Sequence, residues 1–264
     1  MENEYITYTV REGIATMTFN RPEKLNAFTP SMYNRMVEIF EEVAGDDEVR
    51  VFIITGTGRA FCVGADVKTL EQGFDRKPED IPKEMKDAKD RLLTVLLRRI
   101  NKPVITAING ITAGGGFEIA CASDIRIASD KATFSTVFVR RGLMPTLGGT
   151  YFLPRLMGVD KACLIIWTGD LVDAKEAERI GLVTSVVPHD ELQEAAQELA
   201  SKIVKGAPLA ITKSKEAIYK GLDMDFDSAM DDVMQAVGVL TQTEDHQEAV
   251  RAFLEKREPV FKGR

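Results

Sequence analysis

The stretch Ile108-Asn109-Gly110-Ile111-Thr112-Ala113-Gly114-Gly115-Gly116-Phe117-Glu118 combines the residue types that an anion seat and an acid–base group require. Consecutive glycines let a backbone pass close to a ligand and take dihedrals that Cβ-bearing residues avoid. Phe117 to Ala122 reads as the first turns of an apolar helix, whose unpaired N–H groups attract negative charge. Glu118 stands among apolar Phe117, Ile119 and Ala120. A carboxylate in a dry setting beside an anion seat suits enolate chemistry. A glycine-rich turn also serves packing alone, so this segment by itself leaves both readings open.

A second turn strengthens the chemical reading. Arg59-Ala60-Phe61-Cys62-Val63-Gly64-Ala65-Asp66-Val67 follows a β-branched run and the turn Gly56-Thr57-Gly58. The N–H groups of Ala65 and Gly115 are expected to converge on one oxygen. Two donors aimed at a thioester carbonyl stabilise an enolate, and losing one such donor typically costs ~3–4 kcal/mol of transition-state stabilisation. Asp66 opens a short helical pattern, where an aspartate serves as a cap.

Other chemistries lack their residues. His189 and His246 are the only histidines, both in charged surroundings near predicted helix starts, which suits surface or capping roles rather than a serine–histidine hydrolase. There is no His/Cys cluster of zinc-binding type. Gly56-Thr57-Gly58 lacks the third glycine of a dinucleotide fingerprint, and no Walker-type loop occurs. Carboxylate acid–base work supported by backbone donors remains.

The elements that must hold these groups alternate strand and helix, then become helical. Ile14 to Phe19, Val49 to Thr55, Pro103 to Ile108, Asp124 to Ala128 and Thr184 to Val187 read as strands. Thr29-Pro30 reads as a cap followed by proline at the first helical position, with Met36, Val37, Phe40, Val43 and Ala44 as the apolar stripe and Gly45 as the close. Glu71 to Lys89, charged and containing Pro78 and Pro82, reads as a surface element or a lid. After Asp190 the pattern predicts three helices, divided near Gly206-Ala207-Pro208 and Gly221-Leu222-Asp223. The fold class is α/β, with a core over residues 1–200 and a C-terminal helical subdomain over 201–264.

Bulk properties allow an enzyme and do not exclude an anionic small ligand held by a few local cations. The 264 residues can bury a sizeable core, and a net charge of −7 disfavours nucleic-acid binding, with no basic stripe for RNA. The first residues, acidic and polar, match neither a secretory signal nor a transit peptide, and no apolar run approaches the ~20 residues of a membrane span. Cys62, Cys121 and Cys163, odd in number and set among apolar residues, read as reduced core thiols of a cytoplasmic protein.

At these residues the chain resembles the enoyl-CoA hydratase/isomerase, or crotonase, family over nearly its whole length. Asn20-Arg21-Pro22-Glu23-Lys24-Leu25-Asn26-Ala27 is similar to the family's coenzyme A loop. Phe61 to Val67 and Ile108 to Ala122 are similar to its two oxyanion turns. Leu143 to Thr150 and the tail Phe253-Leu254-Glu255-Lys256-Arg257 also fit. The resemblance implies a crotonase-like spiral of repeated ββα units, with C-terminal helices that pack into a homotrimer, often paired into a hexamer. It implies an acyl-CoA substrate and no metal or redox cofactor. Residue by residue, Ala65 and Gly115 match the oxyanion donors, Gly114 lies in the same turn, and Glu118 matches a catalytic glutamate. Lys24, Leu25, Ala27, Ala60, Asp66 and Val67 match the coenzyme A access path, and Phe261 and Lys262 match C-terminal residues that reach the nucleotide, in some cases on a neighbouring subunit. Solvated lysine is the plainer reading of Lys24 and Lys262.

One departure bears on the reaction. Hydratases of this type carry a second glutamate, and counting back from Gly142 and Pro145 places that position on Phe138. Thr146 stands where some relatives carry an aspartate. Phe138 reads as wall packing, or as a ring that dries the pocket, raises the pKa of Glu118 and stacks on a cyclic or bulky acyl group. A single glutamate serves hydration if one water supplies both hydroxide and proton. The leading expectation is reversible hydration of an enoyl-CoA. The alternatives are a double-bond isomerase, a hydrolase, lyase or decarboxylase on acyl-CoA, and, in another class, a non-catalytic acyl-CoA-binding protein.

Overall fold

A computed structural model describes residues 5–71 and 88–264, so residues 72–87 of the predicted surface element or lid lie outside the described residues. Strands β1 (Ile6–Arg11) and β2 (Ile14–Phe19) pair antiparallel, and helix α1 (Pro30–Gly45) follows. Then come β3 (Val51–Gly56), β4 (Ala60–Cys62), α2 (Val67–Glu71), α3 (Leu93–Arg99), β5 (Val104–Ile108), β6 (Ile111–Ala113) and α4 (Gly114–Ala122). The chain continues through β7 (Ile125–Ser129), β8 (Thr133–Ser135), α5 (Gly149–Met157), α6 (Val159–Thr168), β9 (Val172–Asp173), α7 (Ala174–Arg179) and β10 (Ser185–Val187). Helices α8 (Leu192–Val204), α9 (Pro208–Gly221), α10 (Phe226–Leu240) and α11 (Glu244–Glu255) form the C-terminal part.

Two sheets share the ββα units. The larger runs β1-β2-β3-β5-β7-β10 and is parallel from β2 onward; the smaller runs β4-β6-β8-β9. In each of the pairs β3/β4, β5/β6 and β7/β8 the first strand joins the large sheet and the second the small one. This is the arrangement of repeated ββα units that the resemblance implies.

Strand β3 shows why the sequence folds this way. All six of its residues are buried, as a β-branched run in a parallel sheet covered on both faces requires. Phe52 and Ile54 point into the main core, where Phe52 meets Phe40 of α1 edge-on at 5.9 Å between ring centroids. Val51 and Ile53 point the other way and pack with Leu192, Ala196 and Ala200 of α8. Thr29 caps α1 by accepting from the Met32 N–H, with Pro30 at the first helical position.

Three sequence expectations need correction. The helix read from Phe117 begins at Gly114, so the glycines form its first turn. The tail holds four helices rather than three: Thr243 accepts from the His246 N–H and starts α11, a break that lacks the glycine or proline marking the others. Cys62 and Cys121 are core residues, whereas Cys163 is only partly buried.

Asp124 ties the tail to the core. Its carboxylate accepts from Lys215 Nζ (2.6 Å) and Tyr219 Oη (2.5 Å) of α9 and from the Val104 N–H (2.7 Å) at the start of β5. Removing one partner of a largely buried pair strands the other. Asp124→Ala is expected to lower stability by about 2–4 kcal/mol, read as a lower urea midpoint.

Candidate active site

The candidate site forms where three parallel strands leave the small sheet at the same edge. Ala60 pairs with Ile111, and Ala113 with Ser135, so the segments after β4, β6 and β8 emerge side by side. These are the turn around Ala65, the glycine start of α4, and the stretch that carries Phe138. Parallel register alone brings together residues far apart in sequence.

Backbone contact between the first two segments is close enough to exclude side chains. Gly64 takes φ +86°, and a Cβ there would lie 2.8 Å from the Gly115 nitrogen. A Cβ on Gly116 would lie 2.3 Å from the Cys62 carbonyl oxygen. Phe28 donates its N–H to the Gly64 carbonyl (2.9 Å) and accepts from the Asp66 N–H (3.0 Å). In such a bridge the intervening residue presents its own groups to the opposite side, so the Ala65 N–H faces away from Phe28. Gly115 is the second residue of α4, among the N–H groups that have no acceptor within the helix. Phe28 and Leu147 form the wall here: a Cβ on Gly115 would meet Phe28 Cζ at 3.1 Å and Leu147 Cδ1 at 3.3 Å.

Glu118, one turn further along α4, is 1 % exposed. Its Oε1 accepts from the N–H groups of Gly149 (2.7 Å) and Leu147 (2.9 Å), and Oε2 from that of Thr146 (3.3 Å). The carboxylate thus sits at the N-terminus of α5, where the helix dipole favours negative charge. Burial nevertheless dominates and raises its pKa above the ordinary glutamate range, while the three N–H donors pull against it. The sequence argument anticipated the dry setting but not these donors, whose only signal is the Gly148-Gly149 pair.

The proposed access-path residues gather around Arg21, which sequence reading passed over as a member of a turn. Its guanidinium donates to the Ala27 carbonyl (2.9 Å) and to Asp66 Oδ2 (2.7 Å). Asp66 also caps α2 through the Lys68 N–H (3.1 Å), and Arg21 holds its carboxyl below the usual range. Leu25 and Asn26 both take left-handed φ, at +52° and +57°. Asn26 Nδ2 then reaches the Ala60 carbonyl (2.7 Å), which Asn109 Nδ2 also approaches (3.0 Å). Lys24 is exposed at the end of the turn Pro22–Lys24, and Val67 is exposed at the start of α2. Asn26 and Asn109 had no sequence signal beyond their place in turns.

Phe138 is buried and opens the 3-10 turn Val139–Arg141. Val137 before it takes φ +48°, costly for a β-branched residue, and its Cγ2 lies 3.6 Å from where a Gly114 Cβ would stand. Two polar residues near Phe138 are engaged elsewhere: Thr136 Oγ1 donates to the Ile165 carbonyl, and Arg140 pairs with Asp170. Phe261 and Lys262 do not join the site within one chain. The Phe261 carbonyl accepts from Arg50, just before β3, and the Lys262 N–H donates to Asp245. That is the opposite end of β3 from the donor turns. His189 and His246 lie at helix starts, as read from sequence.

Comparison with known proteins places this geometry in context. The sequence profile described as enoyl-CoA hydratase/isomerase matches residues 9–264. The short-chain-enoyl-CoA hydratase of Clostridium acetobutylicum is 40% identical, over 96% of this chain and 97% of the relative. The 1,2-epoxyphenylacetyl-CoA isomerase of Escherichia coli is 34% identical, over 99% of both. The solved structure of enoyl-CoA hydratase from Bacillus anthracis superposes with a TM-score of 0.90 at 34% identity, covering 98% of this chain and 100% of that one.

The Gly116 contact yields a direct test. Gly116→Ala forces a methyl into the Cys62 carbonyl and is expected to cost about 3 kcal/mol or more by overpacking, seen as a lowered thermal midpoint.

Proposed function

Because the chain belongs to the enoyl-CoA hydratase/isomerase family, we propose that its site reversibly hydrates an enoyl-CoA thioester. The observation that carries this reading is Glu118, buried and hydrogen-bonded beside two facing donor turns. The thioester carbonyl would accept from the Ala65 and Gly115 N–H groups. Negative charge that develops on that oxygen during addition is then met by donors already in place. Oε1 of Glu118 carries the two shorter N–H bonds, which leaves Oε2 as the oxygen that exchanges protons. Glu118 takes a proton from water as hydroxide adds to the β-carbon and returns one to the α-carbon. Its raised pKa suits both transfers.

Proton and water movements alone complete this cycle, so it requires no metal or redox cofactor. Among the described residues no three His, Cys, Asp or Glu side chains group to hold a metal. Lys24, Leu25, Ala27, Ala60, Asp66 and Val67 would line the path of the coenzyme, with Asp66 acting through its hold on Arg21. Phe138 and Gly114 would border the acyl group, and the buried phenyl ring suits a bulky or cyclic one. Phe261 and Lys262 would reach a nucleotide only on a neighbouring subunit.

Exposed apolar residues on the tail support a homotrimer, or a hexamer of two trimers: Ile218, Met234, Phe253 and Leu254 are each more than half exposed. We divide the chain for this purpose into a catalytic core, 1–200, and an oligomerising tail, 201–264. A cytoplasmic location fits the same reading. Among the described residues no helix is long and apolar enough to cross a membrane.

The single carboxylate keeps double-bond isomerisation as a second reading, since counting back from Gly142 and Pro145 puts Phe138 at the place of the second acid. Incubation with straight-chain and cyclic enoyl-CoAs separates the two by mass, because hydration adds water and isomerisation does not. Glu118→Gln is expected to bind the thioester while turnover falls by roughly 10²–10⁴-fold. Full turnover in that variant overturns the assignment of Glu118. Light scattering of the purified protein checks the oligomer, with a monomer contrary to expectation.

A further inference from the structure

Thr94 lies on α3, on an element that none of the site residues occupies. Its side chain is 3 % exposed, and its Oγ1 donates to the Leu147 carbonyl at 2.5 Å. At the second position of α3 a threonine hydroxyl ordinarily stays with its own helix start, but this one reaches across to the turn before α5. Leu147 is the residue on which three features of the site meet. Its N–H donates to Glu118 Oε1 at 2.9 Å, and its Cδ1 lies over Gly115 beside Phe28. Its carbonyl is held by Thr94.

We propose that Thr94 is a positioning residue which, through Leu147, sets both the donor geometry on Glu118 and the wall above the Gly115 N–H. The Thr146–Gly149 turn carries three N–H groups that favour ionised Glu118. Releasing its anchor lets that turn drift and weakens those bonds, so the acid form gains. Among the described residues, the charged groups on the elements around Glu118 are directed elsewhere. Arg98 lies over Tyr219, Arg99 pairs with Asp90, Arg155 with Asp223, Arg140 with Asp170 and Asp66 with Arg21. The thiols of Cys121, on the same helix, and Cys62, on β4, are pushed up to about 12 by burial and stay protonated. Among the described residues, hydrogen bonds from the turn are therefore the adjustable influence on this carboxylate.

The catalytic half of this inference rests on the hydratase reading, so the test includes a measurement that needs no turnover. The Glu118 carboxyl is followed by ¹³C NMR titration, its resonance assigned by its loss in Glu118→Gln. Thr94→Val is expected to move the midpoint to higher pH and Thr94→Ser to restore it. In the turnover profile the acid limb moves the same way, with activity on that limb falling roughly three- to tenfold, the range one hydrogen bond commands. Activity above the midpoint changes less, which separates this effect from general loss of folded protein. Thr94→Ala provides a second hydroxyl-free variant if valine prevents folding. An unmoved Glu118 midpoint in the folded hydroxyl-free variants overturns the proposal, as does failure of serine to restore it. If the midpoint moves but Glu118→Gln retains full turnover, the positioning role stands and the catalytic reading of Glu118 falls.

Discussion

A carboxylate taken almost wholly out of water must be met by donors or lose its charge, and the site is organised around how this chain meets that demand at Glu118. Burial pushes its pKa up, and the N–H groups of Thr146, Leu147 and Gly149 push it down. Neither influence exists without the fold. Burial comes from α4 lying between the small sheet and helices α3 and α5; the donors come from the turn that starts α5. Removing the donors would push its pKa further up, and removing the burial would leave an ordinary surface glutamate.

The same economy of backbone groups recurs at the donor turns. An N–H fixed in a strand or helix is spent on its neighbour, so two free ones on facing turns need a special arrangement. The bridge through Phe28 engages Gly64 and Asp66 and leaves Ala65 between them. The helix start frees Gly115 because its acceptor would lie before the helix begins. Close approach of the two turns then depends on glycine at 64 and 116, where any Cβ would strike backbone. Arg21 secures the other side by donating to the Ala27 carbonyl and to Asp66, so the turn after β2 is tied to the first donor turn. Electrostatic stabilisation of this kind is effective because its dipoles need no reorganisation as charge develops.

Phe138 and Val137 show a different constraint. Register with β6 delivers the stretch after β8 to the glycine turn, and Val137 adopts a left-handed φ immediately before the buried Phe138. Backbone strain at a β-branched residue persists only where its surroundings hold it, and such strain concentrates at functional sites. Phe138 itself is buried and starts the turn Val139–Arg141.

From the sequence one could read the long buried strands, the cap at Thr29, the glycine turn ahead of Glu118 and the family resemblance. Each is local: a run of β-branched residues, a Thr-Pro pair or three glycines carries its meaning within a few residues. The very short strands β4, β6, β8 and β9 escaped notice because two or three residues cannot show a period. The fourth tail helix escaped because Thr243 breaks the pattern without glycine or proline. What only the tertiary structure decided is which distant groups act on Glu118. Residues 94, 118 and 147 meet through packing of three separate elements, and hydrogen bonds from backbone N–H groups leave no mark in side-chain identity. Residue types determined that a carboxylate would sit in a dry place; the fold determined what holds it there.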